Sequence, residues 1–366
     1  MAGRPLTLFL AGDVMTGRGV DQILGHPSDP MLLEAYVRDA RTYVRLAEEV
    51  SGPIPRPVSA EYVWGDLLGW LRRSDLRLVN LETSVTTGDD FVPGKPVHYR
   101  MHPANVACLS AIRPVCSLAN NHVLDFGPSG LLETYDTLGA AGIAIAGSGP
   151  DVARAIRPAV ADFADRGRVL VFSVGSGSSG IPPDWAAGVA RPGVALLDDL
   201  SETTAEQLAG RIRQVRRPGD VVVVSVHWGS NWGYEVPGGQ VRFARRLVDA
   251  GVDLVHGHSS HHPRPLEVYR GRLILYGCGD LMDDYEGITG HERFRGELRL
   301  GYLASLRAGS GELLGLRMWP VRVRRMRLWR AASEEAAWLR ETVDRICRPY
   351  GWTVVPSGDD LELRAA

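Results

Sequence analysis

Three of the ten histidines in this 366-residue chain fall within five positions, in Gly257-His258-Ser259-Ser260-His261-His262. A fourth, His227, closes the apolar run Val221–Val226 and is followed by Trp228-Gly229. Other polar groups stand in equivalent places. Asp13 comes after Leu6–Leu10, Glu82 after Leu76–Val79, Asn120-Asn121-His122 after Val115–Ala119, and Asp280 after Leu273–Tyr276. Imidazole, carboxylate and amide oxygen are the donors that Zn²⁺, Mn²⁺ or Fe²⁺ accept. A short apolar run ended by such a donor puts it at the carboxyl end of a strand, where open α/β sheets bind ligands. Asp13, Glu82, Asn121, His122, His227, His258, His261 and Asp280 are therefore expected to converge on one rim. Taken singly, each has a plainer reading: Gly-Asp after a strand is a turn, and Asn-Leu-Glu opens a helix. The density of imidazole at 257–262 is what lifts the set above those readings.

A divalent ion, one or two, is the expected cofactor. Such a centre activates water for attack on phosphorus or on a carbonyl, or binds a carboxylate and acidifies the adjacent Cα–H. His122 and Asp13 are the candidate catalytic groups beside the metal, with His291 a candidate second base. Trp228 and Trp232 flank His227 and offer an aromatic wall. With Asn120, His262 and Asp280 they are the candidate substrate contacts. Other chemistries lack their motifs: no GxSxG follows a strand, there is no P-loop, and Gly147-Ser148-Gly149-Pro150 lacks dinucleotide-binding spacing. Cys278, in a tight glycine turn, reads as a small buried residue.

These groups need a scaffold that ends many strands together. The apolar runs alternate with helical patterns at Met31–Val50, Gly130–Ala141, Ser201–Val215 and Gln240–Ala250, which predicts an α/β sheet buried on both faces. From about Gly301 the texture changes to a hairpin, a helix over Ser333–Cys347 and a terminal hairpin. The expected division is a main domain over 1–328 and a C-terminal appendage over 329–366. With 41 basic and 43 acidic residues the net charge is −2, which excludes a global basic surface for nucleic acid or an acidic membrane. Lys95 is the one lysine and reads as coding bias towards arginine. No apolar run reaches the roughly 18–20 residues of a membrane span, and four cysteines show no CxxC spacing. A reduced, cytoplasmic chain with no membrane partner is the expectation.

In order, AGDVMTGR, NLETSV, ANNHVLDFG, SVHWG and DLVHGHSSHHPRPLEVYRGRLILYGCGD resemble the CapA family over about residues 5–325. These are the poly-γ-glutamate capsule proteins of the calcineurin-like metallophosphatase superfamily. The resemblance implies a β-sandwich flanked by helices, with a small C-terminal α+β cap and a metal site at strand ends. It places Asp13 at the first metal aspartate, Glu82 at the bridging carboxylate, Asn121 at the asparagine ligand and His122 at the catalytic histidine. His227, His258 and His261 stand at the late histidine ligands. One departure is Asp13-Val14-Met15, where the superfamily carries Asp-x-His, because a thioether is a poor ligand for such ions. The chain resembles the soluble, anchorless members, among them the peptide epimerase of lasso-peptide biosynthesis. That likeness implies metal-dependent inversion of the Cα of a C-terminal residue, tryptophan, in a ribosomal precursor peptide. Two alternatives stand beside it: hydrolysis of a phosphoester or γ-glutamyl amide, and non-catalytic polymer binding in capsule assembly.

Overall fold

The computed structural model describes residues 4–366. Seven strands matter most for the site: β1 (Leu6–Val14), β2 (Leu76–Leu81), β3 (Val115–Ser117), β4 (Gly167–Ser176), β5 (Val221–His227), β6 (Leu254–His258) and β7 (Asp280–Met282). They belong to two sheets. In the ten-stranded sheet β1, β2 and β3 run parallel, with β7 also parallel to β1, and the antiparallel strands Leu298–Leu306 and Leu313–Arg324 continue it on the other side. In the seven-stranded sheet β4, β5 and β6 run parallel. A mixed α/β sandwich is thus present, with two sheets where the periodicity alone predicts one.

The pleat sorts the side chains between layers. Leu6, Leu8 and Leu10 of β1 enter the core shared by the two sheets, while Phe9 and Ala11 face the opposite layer. On β5, Val221 and Val223 point into the same inter-sheet core, and Val222, Val224 and Val226 point outward. This alternation is the period-2 geometry of a strand covered on both faces. Helices Glu202–Val215 and Gly238–Asp249 cover the outer face of the second sheet with Leu208, Ile212, Phe243 and Leu247. Helix Gly127–Ala140 helps cover the outer face of the first with Leu131 and Leu138.

Two expectations change. The helix predicted over Met31–Val50 forms only at Arg41–Ser51. Residues 31–40 instead make a turn in which Leu32 N–H donates to Arg38 and Ala40 N–H to Pro30. Glu34 is drawn inward to the buried Arg18 guanidinium at 2.8 Å, an attraction that local helix propensity cannot match. The boundary expected at 328/329 lies inside the strand Arg327–Arg330. Beyond it, the hairpin Trp352–Ser357/Asp360–Ala365 joins the larger sheet through Met318 and Leu361, and helix Ser333–Cys347 sends Leu339 and Val343 into the inter-sheet core. Among the described residues no helix is long and apolar enough to cross a membrane.

Candidate metal centre

The same pleat that buries leucine and valine lower in the sandwich turns polar at its upper end. The inward row of β5 reads Val221, Val223, Ser225, His227, and that of β6 reads Leu254, His256, His258. Ser225 is paired with His256 and His227 with His258 in register. On the facing sheet the rows Leu76, Leu78, Asn80 and Val115, Ser117 make the same change. β1 shifts register between Leu10 and Asp13, which brings Asp13 level with Asn80 and Asp280. Gly12 sits in that irregularity because a Cβ there would lie 1.9 Å from the Gly279 carbonyl oxygen. Only glycine permits so close an approach.

Asp13, His227 and His258 are all buried, and each offers a donor atom within 4.8 Å of the others. The hydrogen bonds fix which ring nitrogens carry protons. His256 Nε2 lies 2.9 Å from the Ala11 carbonyl and must donate to it. Burial pushes this imidazole down to about 4, so it is neutral and its Nδ1 accepts from the Ser225 hydroxyl at 3.0 Å. Ser225 Oγ then accepts from His258 Nε2 at 2.9 Å, which leaves a lone pair on His258 Nδ1. On the other side His227 Nε2 donates to Asn121 Oδ1 at 2.9 Å, leaving a lone pair on His227 Nδ1. The two lone-pair nitrogens face each other 2.8 Å apart, with Asp13 Oδ1 3.8 Å from His258 Nδ1. Such a set fits a divalent cation, which Asp13, His227 and His258 would hold.

The carboxylates agree with that fit. Burial and the nearby Asp280 charge push Asp13 up to about 7. Burial, then Asp13 and Asp280, push Glu82 well above the usual carboxylate range. Asn80 Nδ2 bridges the two, donating to Asp13 Oδ1 at 2.8 Å and Glu82 Oε2 at 3.0 Å. Glu82 Oε1 stands 4.0 Å from His227 Nε2, beside the triad. Directly after His258, Ser259 takes φ +99°, left-handed backbone that costs a non-glycine residue about 1–3 kcal/mol. Its N–H donates to Asp13 Oδ2 at 3.2 Å.

His122 stands at the edge of this set. Its Nδ1 donates to Asp125 Oδ2 at 2.7 Å, and its Nε2 lies 3.7 Å from Glu82 Oε1. Burial drives the ring down to about 4 against the opposing pull of Asp125, so it is neutral with its Nε2 lone pair turned towards Glu82. Lys95 holds the assembly: its ammonium donates to Asp125 and to the Asn121 backbone carbonyl. A guanidinium is a wide planar fork, and an ammonium is a compact point charge that fits between two oxygens and a ring.

The remaining candidates separate. His261 pairs through Nδ1 with Asp280 at 3.0 Å, outside the triad. Asp280 also takes the Tyr285 hydroxyl and has Arg299 4.0 Å away, which assigns it to orienting His261, not to substrate. His262 is committed to its loop, with Nδ1 donating to Pro263 and Nε2 accepting from Gly233 N–H, both at 3.0 Å. Asn120 is fully buried and ties Asn80, Leu81, His122 and Val123 together. Trp228 is a core residue whose indole donates to the Tyr276 carbonyl. Neither is open to a substrate. Trp232 is half-buried at the rim, 5.2 Å from the His261 ring. His291 lies flat on Trp232 at 4.0 Å and does not join the triad, because the indole captures it. Asn80, Asp125, Lys95, Ser225 and His256 were not singled out from the sequence. Two signals were available: Asp125 follows His122 by three residues, and Lys95 is the lone lysine among 41 cationic residues.

The family model for bacterial capsule synthesis proteins, PGA_cap, matches residues 7–285, a span that holds Asp13, Glu82, His122, His227 and His258. The chain belongs to this family. A Mycobacterium tuberculosis relative named "Probable polyglutamine synthesis accessory protein" is 54% identical over 99% of this chain and 97% of its own length. The PGA biosynthesis protein CapA of Bacillus subtilis is 28% identical over 70% of this chain and 64% of its own. The capsule biosynthesis protein CapA of Bacillus anthracis is 24% identical, over 76% and 60%. Among solved structures, a 5'-nucleotidase precursor from Thermus thermophilus aligns at a TM-score of 0.45 and 16% identity, over 94% of this chain and 59% of that one.

Proposed function

We propose that this chain is a metal-dependent hydrolase that cleaves an amide bond in an acidic, peptide-like polymer. The reading is carried by one observation: two buried imidazoles turn unprotonated nitrogens to each other beside Asp13, with His122 held by Asp125 at the edge. A bound divalent ion supplies Lewis acidity towards the amide carbonyl and towards water. Neutral His122 accepts a proton at Nε2 and returns it to the leaving amine, while Asp125 keeps Nδ1 protonated and the ring oriented. Asn80 holds the two carboxylates in place, and Lys95 fixes the loop that carries Asn121 and His122. The relatives named for polyglutamine and PGA synthesis support a peptide-like polymer, and the PGA name, that of poly-γ-glutamate, supports its acidic character.

Epimerisation of a C-terminal residue needs a second base across the substrate from His122. The candidate, His291, is stacked on Trp232, so hydrolysis is preferred. The test incubates metal-loaded protein with a γ-glutamyl oligomer in D₂O, with mass spectrometry as the readout. Cleaved product, lost on chelation, supports the hydrolase. Deuterium gain without cleavage on a peptide ending in tryptophan would replace it with the epimerase. Neither change, with metal retained, would leave a binding role in polymer assembly.

A further inference from the structure

A cavity opens past the aromatic rim, between the loop 229–237, the short turn Glu292–Phe294 and helix Ser333–Cys347. It measures about 380 Å³ and is lined by Gly233, Tyr234, Arg293, Phe294, Trp338, Thr342 and Arg345. No carboxylate is among these residues; their polar side chains are guanidinium, phenol, hydroxyl and indole, all of which can donate. The Arg345 guanidinium lies 5.3 Å over the Tyr234 ring and that of Arg293 4.7 Å over Phe294, and those two rings are 5.2 Å apart. Among the described residues neither arginine has a carboxylate within 4.0 Å, although nearby Arg295 is paired with Glu297 at 2.8 Å. Two exposed cations lying on aromatic faces, in a groove with no lining carboxylate, form a cradle for an oxyanion.

The cradle connects to the His261–Asp280 edge of the site. Ring-to-ring steps of 5.2 Å lead from His261 to Trp232, from Trp232 to Phe294 and from Phe294 to Tyr234. At about 3.5 Å per extended residue, roughly four α-linked residues span that path, and fewer γ-linked ones, whose backbone carries two more carbons each. We propose that the groove between Arg293 and Arg345 is a carboxylate-binding subsite for a remote acidic residue of the polymer, so that the protein selects chains over single amino acids. The subsite rests on the acidic-polymer reading above and adds to it a location and a length requirement.

Binding of fluorescein-labelled γ-linked hexaglutamate to the full chain, followed by fluorescence anisotropy, tests it. Arg293→Gln/Arg345→Gln is expected to lose at least tenfold in affinity with its metal content unchanged, while the remote Arg113→Glu binds as the parent does. Monomeric glutamate and inorganic phosphate, at equal charge concentration, are expected to displace the oligomer at least tenfold less well than unlabelled hexaglutamate. Absence of binding by the parent, a double variant within twofold of it, or equal displacement by phosphate or glutamate would each overturn the subsite. His227→Ala separates the two readings, since it is expected to lose metal and still bind the oligomer. Hexaglutamate that binds through both arginines and is never cleaved sinks the hydrolase and leaves the subsite standing.

Discussion

The lower and upper halves of the space between the sheets are built by the same strands and differ only in what the inward row carries. Below, Leu8, Leu78, Val223 and Leu254 pack into a continuous apolar core. Above, the same rows carry Asn80, Ser225, His227, His256 and His258, all buried to the same degree as the leucines. The apolar half is stabilised by contact area, and the polar half stands only because almost every buried polar group there meets a partner. The two unprotonated nitrogens of His227 and His258 instead face each other, acceptor to acceptor, and they mark the place for a cation. Burial is thus common to both halves, and hydrogen-bond satisfaction separates scaffold from site.

That contrast can be broken from either side. His227→Ala should abolish stoichiometric divalent metal measured by elemental mass spectrometry; full retention would remove His227 from the ligand set. His122→Ala should keep the metal and lose about 10²–10⁴ in turnover, the range for a positioned acid or base, with metal loss moving His122 into the coordination set. In the lower half, Leu254→Ala should cost about 2–5 kcal/mol in denaturant unfolding and leave metal affinity per folded molecule unchanged. Ser225→Ala cuts the link from His256 to His258 and should weaken metal binding roughly 10–100-fold, and by leaving His256 Nδ1 and His258 Nε2 without that hydroxyl it should cost about 1–3 kcal/mol in unfolding of the metal-free chain.

The smallest effect is in pH. Asp13, raised to about 7, must give up a proton to a metal, so affinity should rise as pH climbs through 7. His262 has the opposite history: burial lowers it to about 4 in the fold against about 6.5 when unfolded. Its stabilising contribution is present above about 6.5 and is lost as pH falls towards 4. His262→Phe should flatten that acid limb, read by thermal melts of the metal-free chain between pH 7 and 4.

Much of the scaffold was legible. The apolar runs ending at Asp13, Glu82, His227 and His258 are strands, and helix Ser333–Cys347 starts and stops where its periodicity does. The helix expected from Met31, which forms only from Arg41, shows why local pattern has limits, since Glu34 answers to Arg18 and not to its chain neighbours. At the site, residue type found the ligands but could not rank the four histidines of 256–262. His256, His261 and His262 all carry the same imidazole as His258. Their different fates follow from an Ala11 carbonyl, an Asp280 carboxylate and a Gly233 N–H, each distant in sequence.

The amino-acid order by itself determined the strand and helix pattern, the capsule-protein motifs and the supply of imidazole and carboxylate at strand ends, because these depend on neighbours along the chain. Tertiary structure alone decided which nitrogens carry protons, that the sole lysine braces His122 through Asp125, and that Arg293 and Arg345 line one groove with Phe294 and Tyr234. Those outcomes depend on pairing between elements tens to hundreds of residues apart, and burial makes each pairing matter, since an unmatched polar group in the interior costs more than any local preference supplies.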